Sequence, residues 1–228
     1  DGNGWSVVGG DPGSMSVSGS QARLNGSSGM APVKAVLGAK TAGDSEAVAR
    51  YTSQDYGNDT GHLMLRFSSP SSYYVAGLDA PNGSSVLDIM RDSGQGDVKV
   101  ASVPFAAVDG TSYWERVRVE GAGSSAKISV RAWPDGTPEP STWNLTYSDA
   151  SPLPAGRVGI QAWDGGSGWT LDSFSAGNLG SGSQASFLGR VPGLGLALMI
   201  LGWLVAMAYV LLPKAGLRRE EVDRVHTL

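Results

Sequence analysis

The chain has 228 residues, 33 of them glycine and none cysteine, with 17% charged residues and a formal net charge of −4. The lack of cysteine excludes disulfides and thiolate metal centres. Residues 1–190 carry 13 Lys and Arg against 18 Asp and Glu, a mildly acidic balance that excludes the basic footprint of a nucleic-acid binder.

Abundant glycine and serine with few charges is the composition of short strands joined by tight turns. The first residue is Asp1, with no apolar leader, as expected of a processed mature chain or of a piece of a longer one. The first oxygen-rich segment is Asp55-Tyr56-Gly57-Asn58-Asp59-Thr60. It places Asp55, Asn58 and Asp59 close enough on a turn to hold a hard cation such as calcium, and an Asx-rich turn without metal is the competing reading. Zinc is excluded by ligand count, since His62 is the sole histidine before the tail. A serine hydrolase would have to use that histidine, which is expected as an exposed strand residue, and no G-x-S-x-G elbow is present.

Period-two alternation then recurs between clusters of Gly, Pro, Asn and Asp, predicting strands of an antiparallel two-sheet sandwich. Leu63, Leu65 and Phe67 are expected on one face, with His62, Met64 and Arg66 on the other. Val117 and Val119 alternate with Trp114, Arg116 and Arg118; Ile128, Val130 and Ala132 with Ser129, Arg131 and Trp133; Val158, Ile160 and Ala162 with Gly159, Gln161 and Trp163. The turns PNGS at 81–84, SGQG at 93–96, EGAGSS at 120–125 and PDG at 134–136 separate these runs. With Val, Ile and Ala in the core, Trp114, Arg116, Arg118, Arg131, Trp133, Gln161 and Trp163 are expected on neighbouring strands facing away from it. Such a surface binds glycan by stacking a sugar on Trp while Arg or Gln takes the hydroxyls. The competing reading covers this face with a loop such as TPEPSTWN, making a second core of packed or ion-paired arginines. Asn25, Asn58, Asn82 and Asn144 stand in N-x-S/T sequons, surface glycans in a secreted protein of a glycosylating organism.

Residues 178–190 read as a Gly/Ser-rich linker after a sandwich over 1–177, and residues 191–212 are free of charge. As a helix the latter is about 33 Å long, enough to span a hydrocarbon core. Lys214, Arg218, Arg219 and Arg224 follow it while Arg190 alone precedes it, which predicts a cytoplasmic tail over 213–228 and an extracytoplasmic sandwich. Gly193 with Ala197 and Gly202 with Ala206 have the spacing that lets another membrane helix approach.

From Tyr113-Trp114 and VRVEG through KISVRAW, DGTPEPSTW and PAGRVGIQAW to WTLDSFSAG, residues 113–177 resemble the concanavalin A-like lectin and glucanase superfamily, particularly its laminin-G-like modules. The resemblance implies a jelly roll of two packed sheets and commonly glycan binding. Retaining glucanases of that superfamily carry E-x-D-x-E on one strand, so that two carboxyls about 5 Å apart share a face. This chain has no such run: Glu115 and Glu120 fall on opposite faces, and Asp44 with Glu46 lies in a Gly-flanked loop. Three roles follow as expectations: a membrane-anchored, non-catalytic lectin-like binding module, a structural accessory subunit of a larger membrane complex, or a degenerate glycosidase.

Overall fold

In the computed structural model the described residues are 4–11, 15–18, 21–24, 32–121, 123–163, 168–179 and 186–187. They form fifteen strands: β1 (Trp5–Gly9), β2 (Met15–Ser18), β3 (Gln21–Leu24), β4 (Val33–Leu37), β5 (Ser45–Ser53), β6 (Thr60–Ser69), β7 (Ser72–Asp79), β8 (Val86–Ser93), β9 (Val98–Pro104), β10 (Ser112–Glu120), β11 (Ala126–Pro134), β12 (Leu145–Asp149), β13 (Arg157–Trp163), β14 (Trp169–Asn178) and β15 (Ser186–Phe187). Sheet 1 has the order β1-β4-β13-β6-β7-β8-β9 and sheet 2 the order β12-β11-β10-β5-β14-β3-β2, with β15 paired to β14. The named strand pairs are antiparallel. This is the antiparallel two-sheet sandwich that the alternation predicts, in the jelly-roll-like form that the resemblance of residues 113–177 implies. Ser186 and Phe187, inside the stretch read as linker, pair with Asn178 and Gly177. Among the described residues no helix is long and apolar enough to cross a membrane. Residues 191–212, with Gly193, Ala197, Gly202 and Ala206, lie outside the described residues.

Burial of alternate side chains from both sheets makes the core. Leu63, Leu65, Ile89 and Ile160 from sheet 1 meet Tyr51, Val117, Ile128 and Trp169 from sheet 2, all 1% exposed or less. Gly61 on β6 permits the closest approach, because a Cβ there would overlap the six-membered ring of Trp169.

The predicted face of β6 is corrected at one position. Leu63 and Leu65 face the core, but Phe67 packs with Met64 on the outer side of sheet 1, beside Val36, Tyr73 and Val75. The cause is Arg66, which is not an outward strand residue: its φ is 52° and the register shifts between Leu65 and Ser69. A bulge of this kind inserts a residue and reverses the alternation beyond it. Arg66 itself is buried and donates to the carbonyls of Gly43 (2.7 Å), Leu153 (2.9 Å) and Gly121, tying three loops together at one end of the sandwich.

Candidate functional site

The seven residues expected to share one surface divide between the two sheets. Trp114, Arg116 and Arg118 on β10 lie directly opposite Trp133, Arg131 and Ser129 on β11, in sheet 2. Gln161 and Trp163 are on β13, in the middle of sheet 1 and on the opposite side of the sandwich. Alternation specifies a face of a strand but not the sheet that the strand joins, which is why the two sets looked continuous.

On sheet 2 the outer face is a packed polar layer. The Trp114 and Trp133 rings stack 6.4 Å apart with 13° between their planes, and Trp114 donates to Asp135 at 2.7 Å. Arg116 is shared between Glu46 and Glu139, Arg118 pairs with Glu46 at 2.6 Å, and Arg131 pairs with Glu139. The Trp143 ring lies 4.4 Å from the Arg131 guanidinium and 5.4 Å from that of Arg118. Burial opposes the charge on Glu139, yet Arg116 and Arg131 hold its carboxyl below the usual range. The loop that supplies Asp135, Glu139 and Trp143 therefore closes much of this face, as the second-core reading expected, and its arginines are spent on internal carboxylates. Glu46, expected in a loop, is the second residue of β5 and is 5% exposed. The signal for its role was present in the even spacing of Glu46, Val48 and Arg50, which places Glu46 and Arg50 on the arginine face.

The outer face of sheet 1 is different. Gln161, His62, Gly77 and Asp88 lie in one cross-strand row. His62 is corrected from exposed to fully buried. Because β7 contributes only a glycine to this row, His62 Nε2 reaches Asp88 Oδ1 across it at 2.9 Å. Asp88 Oδ2 faces Lys99 Nζ at 3.0 Å, Lys99 donates to Asp79 at 2.7 Å, and Asp79 accepts from Thr60 Oγ1 at 2.9 Å. Burial raises the pKa of Asp79, but Lys99, His62 and Thr60 outweigh it and hold the group at about 2. Asp97 accepts from Gln161 Nε2 at 3.0 Å and from the Tyr73 hydroxyl at 2.7 Å, and Lys34 also reaches that hydroxyl. At the end of the network Trp163, directly opposite Thr60, keeps 46% of its surface exposed.

Two other places offer less. The Asp55–Asp59 turn is held by its own bonds: Asn58 Nδ2 donates to Asp55 at 2.7 Å, the Asp59 amide donates to the Asp55 carbonyl at 2.8 Å, and Ser53 donates to the Asp59 carboxylate. Among the described residues no group of three His, Cys, Asp or Glu is placed to hold a metal. An open cleft of about 460 Å³ adjoins this turn. Its Ser85 hydroxyl is occupied by Phe105 and Ala107, and its Asp109 carboxylate by the Tyr56 amide.

No protein-family model and no curated protein sequence matches the chain. Among solved structures it is similar to the carbohydrate-binding module CBM66 from Bacillus subtilis, at 16% identity and TM-score 0.55, covering 76% of this chain and 94% of that one. It is similar to a Lotus tetragonolobus seed lectin at 9% identity and TM-score 0.50, covering 82% and 94%. The xylan β-1,4-xylosidase from Bacillus halodurans matches at 12% identity and TM-score 0.54 over 73% of this chain but 35% of its own length. At these identities the likeness is one of fold, the jelly-roll sandwich that residues 113–177 resemble.

Proposed function

We propose that the domain is a non-catalytic glycan-binding module whose sugar stacks on Trp163. The exposed indole carries this reading: it ends β13 directly opposite Thr60, whose hydroxyl bonds Asp79 and through it Lys99, so hydroxyl, carboxylate and ammonium groups extend along the same chain of contacts from the strand pair. That pairing of a flat apolar surface with a few polar groups suits a pyranose, which has an apolar face and hydroxyls at its edge. Fold likeness to a carbohydrate-binding module and a lectin supports it.

Neither Asp79 nor Glu115 suits the acid role in glycoside hydrolysis, which needs a protonated acid in an open site. Asp79 is held at about 2, so it stays ionised. Glu115 is pushed well above the usual range by burial, yet it lies between the sheets with no exposure. We further infer that residues 191–212 anchor the module in a membrane with the sandwich outside. Alkaline carbonate washing tests the anchor, and release of the full-length protein would remove it.

Binding of the full-length protein, in mild detergent, to an immobilised glycan array tests the glycan reading. Trp163→Ala should lose the signal while Trp114→Ala keeps it. Failure of the wild type to bind any glycan would discard the proposal.

A further inference from the structure

Beside Trp163 lie two buried polar atoms without a hydrogen-bond partner, Gln161 Oε1 and His62 Nδ1. Their residues are 4% and 0% exposed and directly opposite each other on adjacent strands, so their β-carbons are about 5 Å apart. The chemistry of each atom is set by what holds the other end of its side chain. Asp97 only accepts, so the Gln161 amide turns its NH₂ toward Asp97 and its oxygen away. Asp88 likewise takes the Nε2 proton of His62. Burial opposes a charged ring, but Asp88, with Asp79 and Asp97 beyond it, raises the pKa of His62 above 6.5. Whenever the ring is an imidazolium, Nδ1 carries a proton and is a donor. A free acceptor and a free donor stand side by side, an expensive pair to leave unmade.

A hydroxyl group satisfies both at once, since its oxygen accepts and its hydrogen donates. Gln161 precedes Trp163 by two residues on the same face, which is about 6.7 Å along the strand. A sugar ring stacked on the indole can extend a substituent hydroxyl, and its hydrogen bond, toward that neighbour on the same face. Building on the glycan-binding reading above, we propose that Gln161 and His62 select the ligand by one neutral hydroxyl of the sugar stacked on Trp163, His62 Nδ1–H donating to it and Gln161 Oε1 accepting from it. Asp97, at the foot of the exposed turn between β8 and β9, ties Gln161 and Tyr73 together. Entry of the hydroxyl requires that turn to yield.

The test uses the full-length protein, ¹⁵N-labelled at its two histidines, His62 and His226, and titrated with methyl pyranosides and their monodeoxy counterparts. A pyranoside whose binding needs Trp163 should shift the His62 Nδ1 resonance. One deoxy counterpart should bind about tenfold more weakly, Gln161→Leu should lose a similar factor, and the two losses should not multiply. Trp163-dependent binding that leaves the His62 resonance unmoved, with unchanged affinity in Gln161→Leu, overturns this inference and spares the glycan reading. Absence of any glycoside binding overturns both.

Discussion

Arg116 grips Glu139 through two N–H···O bonds, Nε to Oε1 at 2.6 Å and Nη2 to Oε2 at 3.0 Å, and so fastens the loop after β11 onto β10. A planar fork on a carboxylate fixes direction as well as distance. Arg131 joins the same carboxylate from β11, while Trp143 lies near both Arg131 and Arg118. The Trp and Arg surface of sheet 2 is thereby turned inward on itself, which leaves Trp163 on the opposite sheet as the exposed indole of the predicted set.

Glu139→Ala should release that loop. Two arginines lose a common partner, but Glu139 is about a third exposed, so screening limits the loss to about 1 kcal/mol. Urea unfolding should show a lower midpoint with an unchanged slope. An unmoved midpoint would mean that apolar contacts of Trp143 hold the loop without the ion pairs.

Glu115 predicts a pH dependence of the opposite kind from ordinary surface acids. Burial, chiefly, raises its pKa well above 4.5 in the folded chain; the Tyr51 hydroxyl and Leu78 amide are its nearest polar neighbours, and neither carboxyl oxygen makes a hydrogen bond of ordinary geometry. The folded state therefore holds a proton that the unfolded state releases, and stability falls as pH rises from about 4.5 toward the folded value. Glu115→Gln removes that proton equilibrium. Melting temperatures of the variant and wild type should diverge in the variant's favour between pH 5 and pH 8. A constant gap across that range would show that Glu115 is already ionised when folded.

For His62 the slope has the same sign, over a higher pH range, and here it is the charged form that the fold favours. Its folded pKa is raised, so its contribution is complete below about 6.5 and fades as pH climbs through the folded value. The charges around it are Asp88, Asp79 and Asp97 on one side of the balance and Lys99 on the other. Titration of the ¹⁵N imidazole signals should give His62 a midpoint above 6.5. Glycan affinity should weaken through the same midpoint, since deprotonation removes the Nδ1 donor. A midpoint below 6.5 would show that burial outweighs Asp88 and would remove that donor at neutral pH.

Much of the sandwich was legible because one sheet face is dry: Val117, Val119, Ile128, Val130, Ile160 and Ala162 alternate and are all buried. What escaped was long-range. Gln161 and Trp163 belong to sheet 1 because β13 inserts between β4 and β6, a pairing to which the period of two is blind. Phe67 changed faces because Arg66 adopts a positive φ that three distant carbonyls make worthwhile. His62 reads as exposed from its neighbours in sequence, whereas the groups that bury and bond it, Asp88 and Gln161, lie 26 and 99 residues away. The arginine face was recognised, but not its carboxylates: Glu46 precedes it by 70 residues and Glu139 follows Arg116 by 23.

Gly61→Ala isolates the closest contact between the sheets. The backbone at residue 61 is ordinary strand, so alanine brings no conformational strain; its methyl instead meets Trp169, a ring 1% exposed and 4.4 Å from the Tyr51 ring. Overpacking of a filled core costs about 1–3 kcal/mol, and the upper part of that range is expected because the obstacle is a rigid indole. Trp169→Phe alone should also destabilise, by the cavity it leaves. Combined, the two should cost less than their sum, because the smaller ring makes room for the methyl. Thermal melts of the three variants decide this, and strictly additive losses would place the strain somewhere other than between Gly61 and Trp169.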